Sequence, residues 1–192
     1  MTTILCIESS ARSDGLTATL ARECLAGAAE AGAQTEFVQL KDLRLERCRM
    51  CDGQGWGLCR SEGRCVIDDD FAGLVERLRA ADGCVFATPV YFADLSESMK
   101  AFMDRLCRIT RDEAAAKALS GKPVVAIAAA GGSGSGTTHC MFQLERLLQA
   151  VGAFVLDLVP AAKRNRDYKG QVAHLAGAAL ARLAASGVRP GK

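Results

Sequence analysis

The stretch Ser9-Ser10-Ala11-Arg12-Ser13-Asp14-Gly15-Leu16-Thr17 stands between a short apolar run, Thr3 to Ile7, and a helical pattern that opens at Thr17. A strand ending here and a helix starting here leave unpaired backbone N–H groups and the positive end of the helix dipole facing one small volume, which favours a bound phosphate. Ser10, Ser13 and Thr17 add hydroxyl donors, Arg12 adds a fork of N–H donors, and Gly15 lets the chain turn without a Cβ clash. The same residues also suit an ordinary strand-to-helix turn with a Thr N-cap, since neither a Walker lysine nor a G-x-G-x-x-G pattern is present.

Outward from this loop the chain alternates strand and helix. Thr17 to Ala31 repeats apolar residues at three- and four-residue spacing and closes at Gly32; Thr35 to Leu40 reads as a second strand. Phe71 to Ala81 returns to helical spacing, with Asp68, Asp69 and Asp70 at its positive end. Gly83 to Ala87 is an uninterrupted apolar strand that runs into Thr88-Pro89-Val90-Tyr91-Phe92. Ser96 to Ile109 is a third helix, Pro123 to Ala130 a fourth strand, Gly131 to Gly136 a glycine-serine turn, and Thr137 to Gly152 a fourth helix. Phe154 to Val159 is the fifth strand, and Gly170 to Ser186 an alanine-rich closing helix. Five strands alternating with five helices imply a parallel, doubly wound sheet covered on both faces, with ligands beyond the carboxyl ends of the strands.

At 192 residues and 49% hydrophobic, the chain is long enough for a full core and short enough for one domain, expected over residues 1–187 with a flexible tail at 188–192. The 24 basic and 22 acidic residues leave a formal charge of +2, so no overall field calls for nucleic acid or a membrane surface. No run of about 18 apolar residues occurs, and Met1-Thr2-Thr3 lacks a basic, apolar leader, so a cytoplasmic location is expected. Nine cysteines in that compartment are read as metal-binding, redox-active or core residues instead of disulfides. Cys6, Cys24, Cys84 and Cys107 fall on strand or helix faces and read as small core hydrophobes.

The loops after strands one, three and four should meet at one crevice. The first suits a phosphate; Pro89, Tyr91 and Phe92 offer a flat apolar wall; Gly131 to Gly136 is bare backbone that a planar ring can approach closely. A phosphate-bearing aromatic cofactor fits all three, although the second loop also reads as a strand-end turn and the third as a linker.

Ser10-Ala11-Arg12-Ser13-Asp14-Gly15-Leu16-Thr17 resembles the S-x-R-x-x-G-x-T phosphate loop of the NADPH-dependent FMN reductases, within the flavodoxin-like fold. Cys65-Val66-Ile67-Asp68-Asp69-Asp70-Phe71 resembles that family's C-x-x-x-D-D segment, and Pro89-Val90-Tyr91 with Lys100 to Arg105 resembles its P-x-Y and K-x-x-x-D-R block. The resemblance implies a flavodoxin-like strand order of 2-1-3-4-5, FMN as cofactor and NAD(P)H as electron donor. It also implies a small acceptor such as a flavin, quinone or metal ion, and a homo-oligomer, dimer or tetramer. By the same resemblance Ser10, Arg12, Ser13 and Thr17 hold the FMN phosphate, Pro89, Val90, Tyr91 and Phe92 line the isoalloxazine, and Gly131 and Gly132 approach its pyrimidine side. The chemistry then belongs to the flavin and no catalytic side chain is assigned. Leu16 departs from the Asn that many relatives carry, and Lys100, Asp104 and Arg105 read as structural. A noncatalytic module binding some other phosphorylated ligand is the reading from a different class.

Lys41 to Asp69 shows no clean period and carries Cys48, Cys51, Cys59 and Cys65, separated by two, seven and five residues. Four thiolates suit iron-sulfur or zinc. Iron-sulfur flavoproteins of the same superfamily carry a tighter four-cysteine motif before the D-D segment, which implies a [4Fe-4S] cluster here and a ferredoxin-like partner; the loop then has to bulge around Gly53, Gly55 and Gly57. Free thiols and a zinc site are the alternatives. Trp56 in this loop either closes over a ligand or packs the loop down. His139 reads as a site residue or a capping one, and Lys163, Arg164 and Arg166 as an anion site or a solvated run.

Overall fold

The computed structural model describes residues 1–112 and 120–187; the tail expected at 188–192 lies outside the described residues. The elements are β1 (Thr3–Glu8), α1 (Leu16–Glu30), β2 (Gln34–Gln39), α2 (Leu58–Ser61), α3 (Phe71–Ala80) and β3 (Gly83–Pro89). They continue with α4 (Glu97–Ile109), β4 (Pro123–Ala130), α5 (Thr137–Ala150), β5 (Phe154–Ala162) and α6 (Arg166–Ala185). Short 3-10 turns at Leu40–Asp42 and Lys163–Asn165 precede the cysteine loop and α6. All strands are parallel in the order β2-β1-β3-β4-β5, the order expected of a flavodoxin-like sheet.

The central strands show why their sequences are uninterrupted apolar runs: β4 is buried at every position, and β3 at every position but Pro89. Successive side chains alternate between two separate cores. Leu5, Ile7, Phe86, Val124 and Ala126 pack under α3, α4 and α5 against Phe71, Phe102, Met103, Leu106 and Leu144. Ile4, Cys6, Val85, Val125 and Ile127 pack under α1 and α6 against Leu20, Cys24, Ala173 and Leu180.

The second core is thin because its helices nearly touch. A Cβ added to Gly27 would lie 1.9 Å from the His174 carbonyl oxygen, and one added to Gly177 would lie 1.8 Å from that of Cys24. Only glycine permits this approach, which accounts for the small-residue composition of the closing helix. α6 starts four residues before the expected Gly170, fed by the 3-10 turn that Asn165 Oδ1 fixes by accepting from the Ala162 N–H at 2.7 Å. β5 extends beyond Val159 through Pro160, which an edge strand tolerates. The four-residue α2 has no counterpart among the five expected helices; six helices occur among the described residues.

Lys122 closes the other face. Its buried ammonium donates to the carbonyls of Leu78 (2.7 Å), Arg79 (2.9 Å) and Ala81, at the negative end of α3. Cys6, Cys24, Cys84 and Cys140 are fully buried, and burial pushes the Cys24, Cys84 and Cys140 thiols up to about 12. Cys107 is half-buried, and burial moves it to about 11. Among the described residues no helix is long and apolar enough to cross a membrane.

Candidate functional site

The loops after β1, β3 and β4 do gather at the carboxyl edge of the sheet, tied together from below. Ser9 N–H donates to Ala87 O at 3.0 Å, and Val90 N–H to Ala129 O at 3.0 Å. Ser96, the N-cap of α4, accepts from Met99 N–H and donates its hydroxyl to Ser9 Oγ at 2.8 Å, while its own N–H reaches Thr88 Oγ1 at 3.1 Å. This buried hydroxyl cluster sets the β1 and β3 loops at a fixed spacing. Ser9 and Ser96 carry no local signal for that role, because they are 87 positions apart.

In the first loop Gly15, with extended backbone, caps α1, and among the described residues no side chain caps the helix start. Those donors face the loop, as a phosphate site requires. Thr17 and Ser10 are buried, whereas Arg12 and Ser13 are exposed. The Arg12 guanidinium forks onto Asp14 through Nε and Nη2, both at 3.2 Å, and holds that carboxyl below the usual carboxylate range. Ser10 is partly committed: its N–H donates to Glu8 Oε1 at 2.7 Å and its Oγ accepts from Arg12 N–H at 3.1 Å. Glu8, wholly buried at the end of β1, also accepts from Gln39 Nε2 at 2.8 Å. Burial pushes the Glu8 carboxyl up, against the opposing pull of those hydrogen bonds. An acidic residue ending an apolar strand was the available signal for Glu8.

In the second loop Tyr91 and Asp94 exchange both backbone hydrogen bonds at 2.9 Å, and between them Phe92 (φ 49°) and Ala93 (φ 67°) adopt left-handed backbone, uncommon outside glycine. The turn thrusts Phe92 fully into solvent, while Pro89 and Val90 are half-buried. Gly136 of the third loop lies against it: a Cβ there would be 2.6 Å from the Ala93 Cα. Gly131 and Gly132 face open space. Arg164 donates to the Ser133 carbonyl and so braces the glycine turn. A groove of about 1080 Å³ runs from Arg12 and Gly15 past Gly131 to Lys163, Arg166 and His174. Lys163 and Arg166 therefore share the first loop's space, and His139 lies exposed on α5.

The cysteine loop forms a second centre. Asp52 Oδ1 accepts from Gln54 and Trp56 N–H, turning the chain through Gly55 (φ 79°) into α2, and Gly57 passes so close to Cys51 that a Cβ would stand 3.1 Å from the cysteine's own. Cys48, Cys51, Cys59 and Cys65 all line one small cavity. Among the described residues, however, no three Cys, His, Asp or Glu side chains stand close enough to grip a metal ion. Arg105, 2% exposed, forms the wall from α4: it pairs with Asp69 at 2.6 and 2.9 Å, donates to Glu46 O at 3.0 Å and to Cys65 Sγ at 3.3 Å, and covers the Phe71 ring. Burial opposes ionisation of Asp69, but Arg105 and the Glu46 and Phe71 amides outweigh it and hold the carboxyl below its usual range. Trp56 packs between Arg108 and Arg60, fastening the loop to α4. The Nε atoms of Arg105 and Arg108 are buried without a hydrogen-bond partner among the described residues.

Comparison with known proteins supplies the lineage. The chain is 38% identical over 102 residues to an iron-sulfur flavoprotein of Methanocaldococcus jannaschii, covering 53% of this chain and 50% of that protein. It is 36% identical over 109 residues to an iron-sulfur flavoprotein of Methanosarcina thermophila, covering 57% and 52%. The chain thus spans about half the length of these curated relatives. Among solved structures, the apo form of an NADH:FMN oxidoreductase superposes with a TM-score of 0.68 at 21% identity, over 95% of this chain and 89% of that one, a likeness of fold. Residues 2–166, which include the crevice loops and the cysteine loop, match the NADPH-dependent FMN reductase family model, and the chain belongs to that family.

Proposed function

We propose that the chain is an FMN-dependent oxidoreductase that takes electrons from NAD(P)H and passes them to a small acceptor: a flavin, a quinone or a metal ion. The observation that carries this reading is the uncapped start of α1 opening beside the exposed Arg12 and the bare backbone of Gly131 and Gly132. The residues present fit the cofactor. The α1 amides, Ser10, Arg12, Ser13 and Thr17 would hold its phosphate; Pro89, Val90, Tyr91 and Phe92 would flank its ring; Gly131 and Gly132 would admit its polar edge. Bound FMN supplies the redox chemistry, so the protein's task is to bind, orient and limit access of water. The Ser9–Ser96 bond would keep the loops proposed for phosphate and ring in register, and Gly136 against Ala93 would limit the width left for the ring.

A second reading is favoured by the four thiols on one cavity and by the names of the relatives. Cys48, Cys51, Cys59 and Cys65 would ligate a [4Fe-4S] cluster, giving one-electron exchange with a ferredoxin-like partner. Four thiols are a donor set that soft metals take, but the side chains would have to draw together to hold one, since among the described residues no three stand close enough. A zinc site or free thiols are the alternatives.

Anaerobic purification, an optical spectrum, iron, sulfide and zinc analysis, and NAD(P)H oxidation with added FMN and quinone test both readings. Flavin bands with turnover support the oxidoreductase, and about four irons and four sulfides per chain support the cluster. A colourless protein that takes up no FMN on reconstitution leaves a noncatalytic module and sinks the proposal. A homodimer or tetramer is part of the proposal, checked by light scattering.

A further inference from the structure

We infer that the groove between α1 and α6 seats the adenosine half of the electron donor, and that Lys163 reads the 2'-phosphate that distinguishes NADPH from NADH. The inference rests on the oxidoreductase reading above and adds to it a place and a preference for the donor.

The groove exists because the two helices touch at one crossing. Gly27 and Gly177 each press against a carbonyl of the other helix, and every helix residue that lines the groove, between Leu16 and Glu23 on α1 and between Arg166 and Leu175 on α6, precedes that crossing. The N-terminal halves of the helices therefore splay and leave about 1080 Å³ beside the loop proposed for the FMN phosphate. Small-molecule sites fill roughly 300–1,000 Å³, so a phosphate at the Arg12 end leaves most of this space free. Gly170 helps to keep it open. A Cβ there would meet only Glu23 Cγ, at 3.9 Å, so no close approach demands glycine as it does at Gly27 and Gly177, although glycine weakens a helix interior relative to alanine.

The two ends of the groove differ in charge. At its opening Arg12 is paired with Asp14 and Arg166 with Asp167, whereas Lys163 has no carboxylate partner among the described residues. α6 starts beside Lys163 with no side-chain cap, and its positive end adds to the attraction for a phosphate. Glu23 stands further along α1 from Leu16, about 10 Å at the helical rise, and shares the groove with Gln171. A carboxylate and a carboxamide accept from an amino group, and Leu20 and Leu175 give a flat base an apolar surface. A phosphorylated adenosine has the matching polarity, with an anion at one end and an amino group at the other. Gly131, proposed above at the polar edge of the flavin, lines the same groove, so a donor held by its adenosine half would extend its other half towards the flavin.

The test compares FMN-reconstituted wild type with Lys163→Gln, which removes the charge, and Gly170→Leu, which fills the groove. Calorimetric titration with 2'-phospho-ADP-ribose and with ADP-ribose reads the site without turnover, and steady-state oxidation of NADPH and NADH reads the preference. Wild type should bind the phosphorylated probe about tenfold more tightly, the worth of one charge-assisted contact. Lys163→Gln should level the two probes and lower the ratio of kcat/KM for NADPH over NADH about tenfold. Gly170→Leu should weaken both probes and raise KM for both donors. Wild type that binds neither probe, or binds both equally, overturns the inference; if it still oxidises NAD(P)H, the oxidoreductase reading stands. An unchanged probe and donor preference in Lys163→Gln also overturns it, and that variant decides alone if Gly170→Leu fails to fold. Probe binding that both variants weaken, in a protein that oxidises neither donor, supports the site and sinks the oxidoreductase reading. FAD held more tightly than FMN, with the advantage lost in Gly170→Leu, assigns the groove to the flavin's own adenosine half and overturns the donor assignment.

Discussion

The hydroxyl oxygens of Ser96 and Ser9 lie 2.8 Å apart, joining the N-cap of α4 to the residue that follows β1. One side chain thus serves a helix start and the loop after β1 at once. Ser96→Ala should cost about 1 kcal/mol of stability, the usual worth of an N-cap, seen as a lower urea midpoint. It should also weaken FMN uptake in a fluorescence-quenching titration. A stability loss with unchanged FMN affinity would show that the cap alone matters.

Arg12 offers a different split. Its side chain is exposed and engages only Asp14 among the described residues, so Arg12→Ala should leave the melting temperature unchanged. FMN affinity should fall roughly tenfold through the lost charge-assisted contact, while riboflavin, which lacks the phosphate, should bind equally to both proteins. Equal losses for both flavins would remove Arg12 from the phosphate site.

Gly27 and Gly73 make opposite predictions for the same substitution. Gly27→Ala drives a methyl into the His174 carbonyl and should destabilise by at least about 3 kcal/mol, or prevent folding. Gly73, exposed on α3 with nothing within 4 Å of its Cβ position, should gain about 0.5–1 kcal/mol as Ala. Urea titrations of the two variants decide it.

Glu8 sets a pH dependence. Its folded-state pKa is raised by burial above the ordinary 4.5, so the folded form holds its proton more tightly than the unfolded one. The resulting contribution is fully present below the unfolded value and is lost as pH rises through the folded pKa. Glu8→Gln should therefore gain stability relative to wild type as pH rises above the ordinary glutamate value, and should bind FMN more tightly at neutral pH by removing a carboxylate from the Ser10 amide. A pH-independent difference in urea midpoint would contradict this.

The thiols divide by reactivity. In metal-free folded protein, Cys48, Cys51, Cys59 and Cys65 should take iodoacetamide, Cys51 first because it is exposed, while Cys6, Cys24, Cys84 and Cys140 should react only in denaturant. Peptide mass mapping reads the order, and reaction of the buried group in the native state would speak against the packing described.

Much of the architecture was legible because central parallel strands advertise themselves: Gly83 to Ala87 and Pro123 to Ala130 are apolar throughout, since both faces are covered. The start of α6 was hidden because Lys163 to Lys169 is charged and aperiodic, and its helix forms by docking on α1. α2 is too short to show a period. The loop between β1 and α1 was readable since its residues are contiguous. Glu8 beneath Ser10, Ser96 against Ser9, and Arg108 over Trp56 were not, because each role exists only once distant segments meet, and no local spacing encodes the meeting. The basic run split for the same reason: Lys163 and Arg166 border the groove, but Arg164 turns away to the Ser133 carbonyl.

The glycine contact between α1 and α6 also dictates a timetable for the nascent chain. α1 leaves the ribosome well before the surface that seals Gly27 and Cys24, which arrives only with Arg166–Ala185. Until then β1, β3 and β4 can pair and bury their other face under α3, α4 and α5, while the face beneath α1 stays partly bare to water and to chaperones. A nascent chain from which α6 has not yet emerged therefore lacks the surface that covers Gly27 and Cys24 in the folded protein.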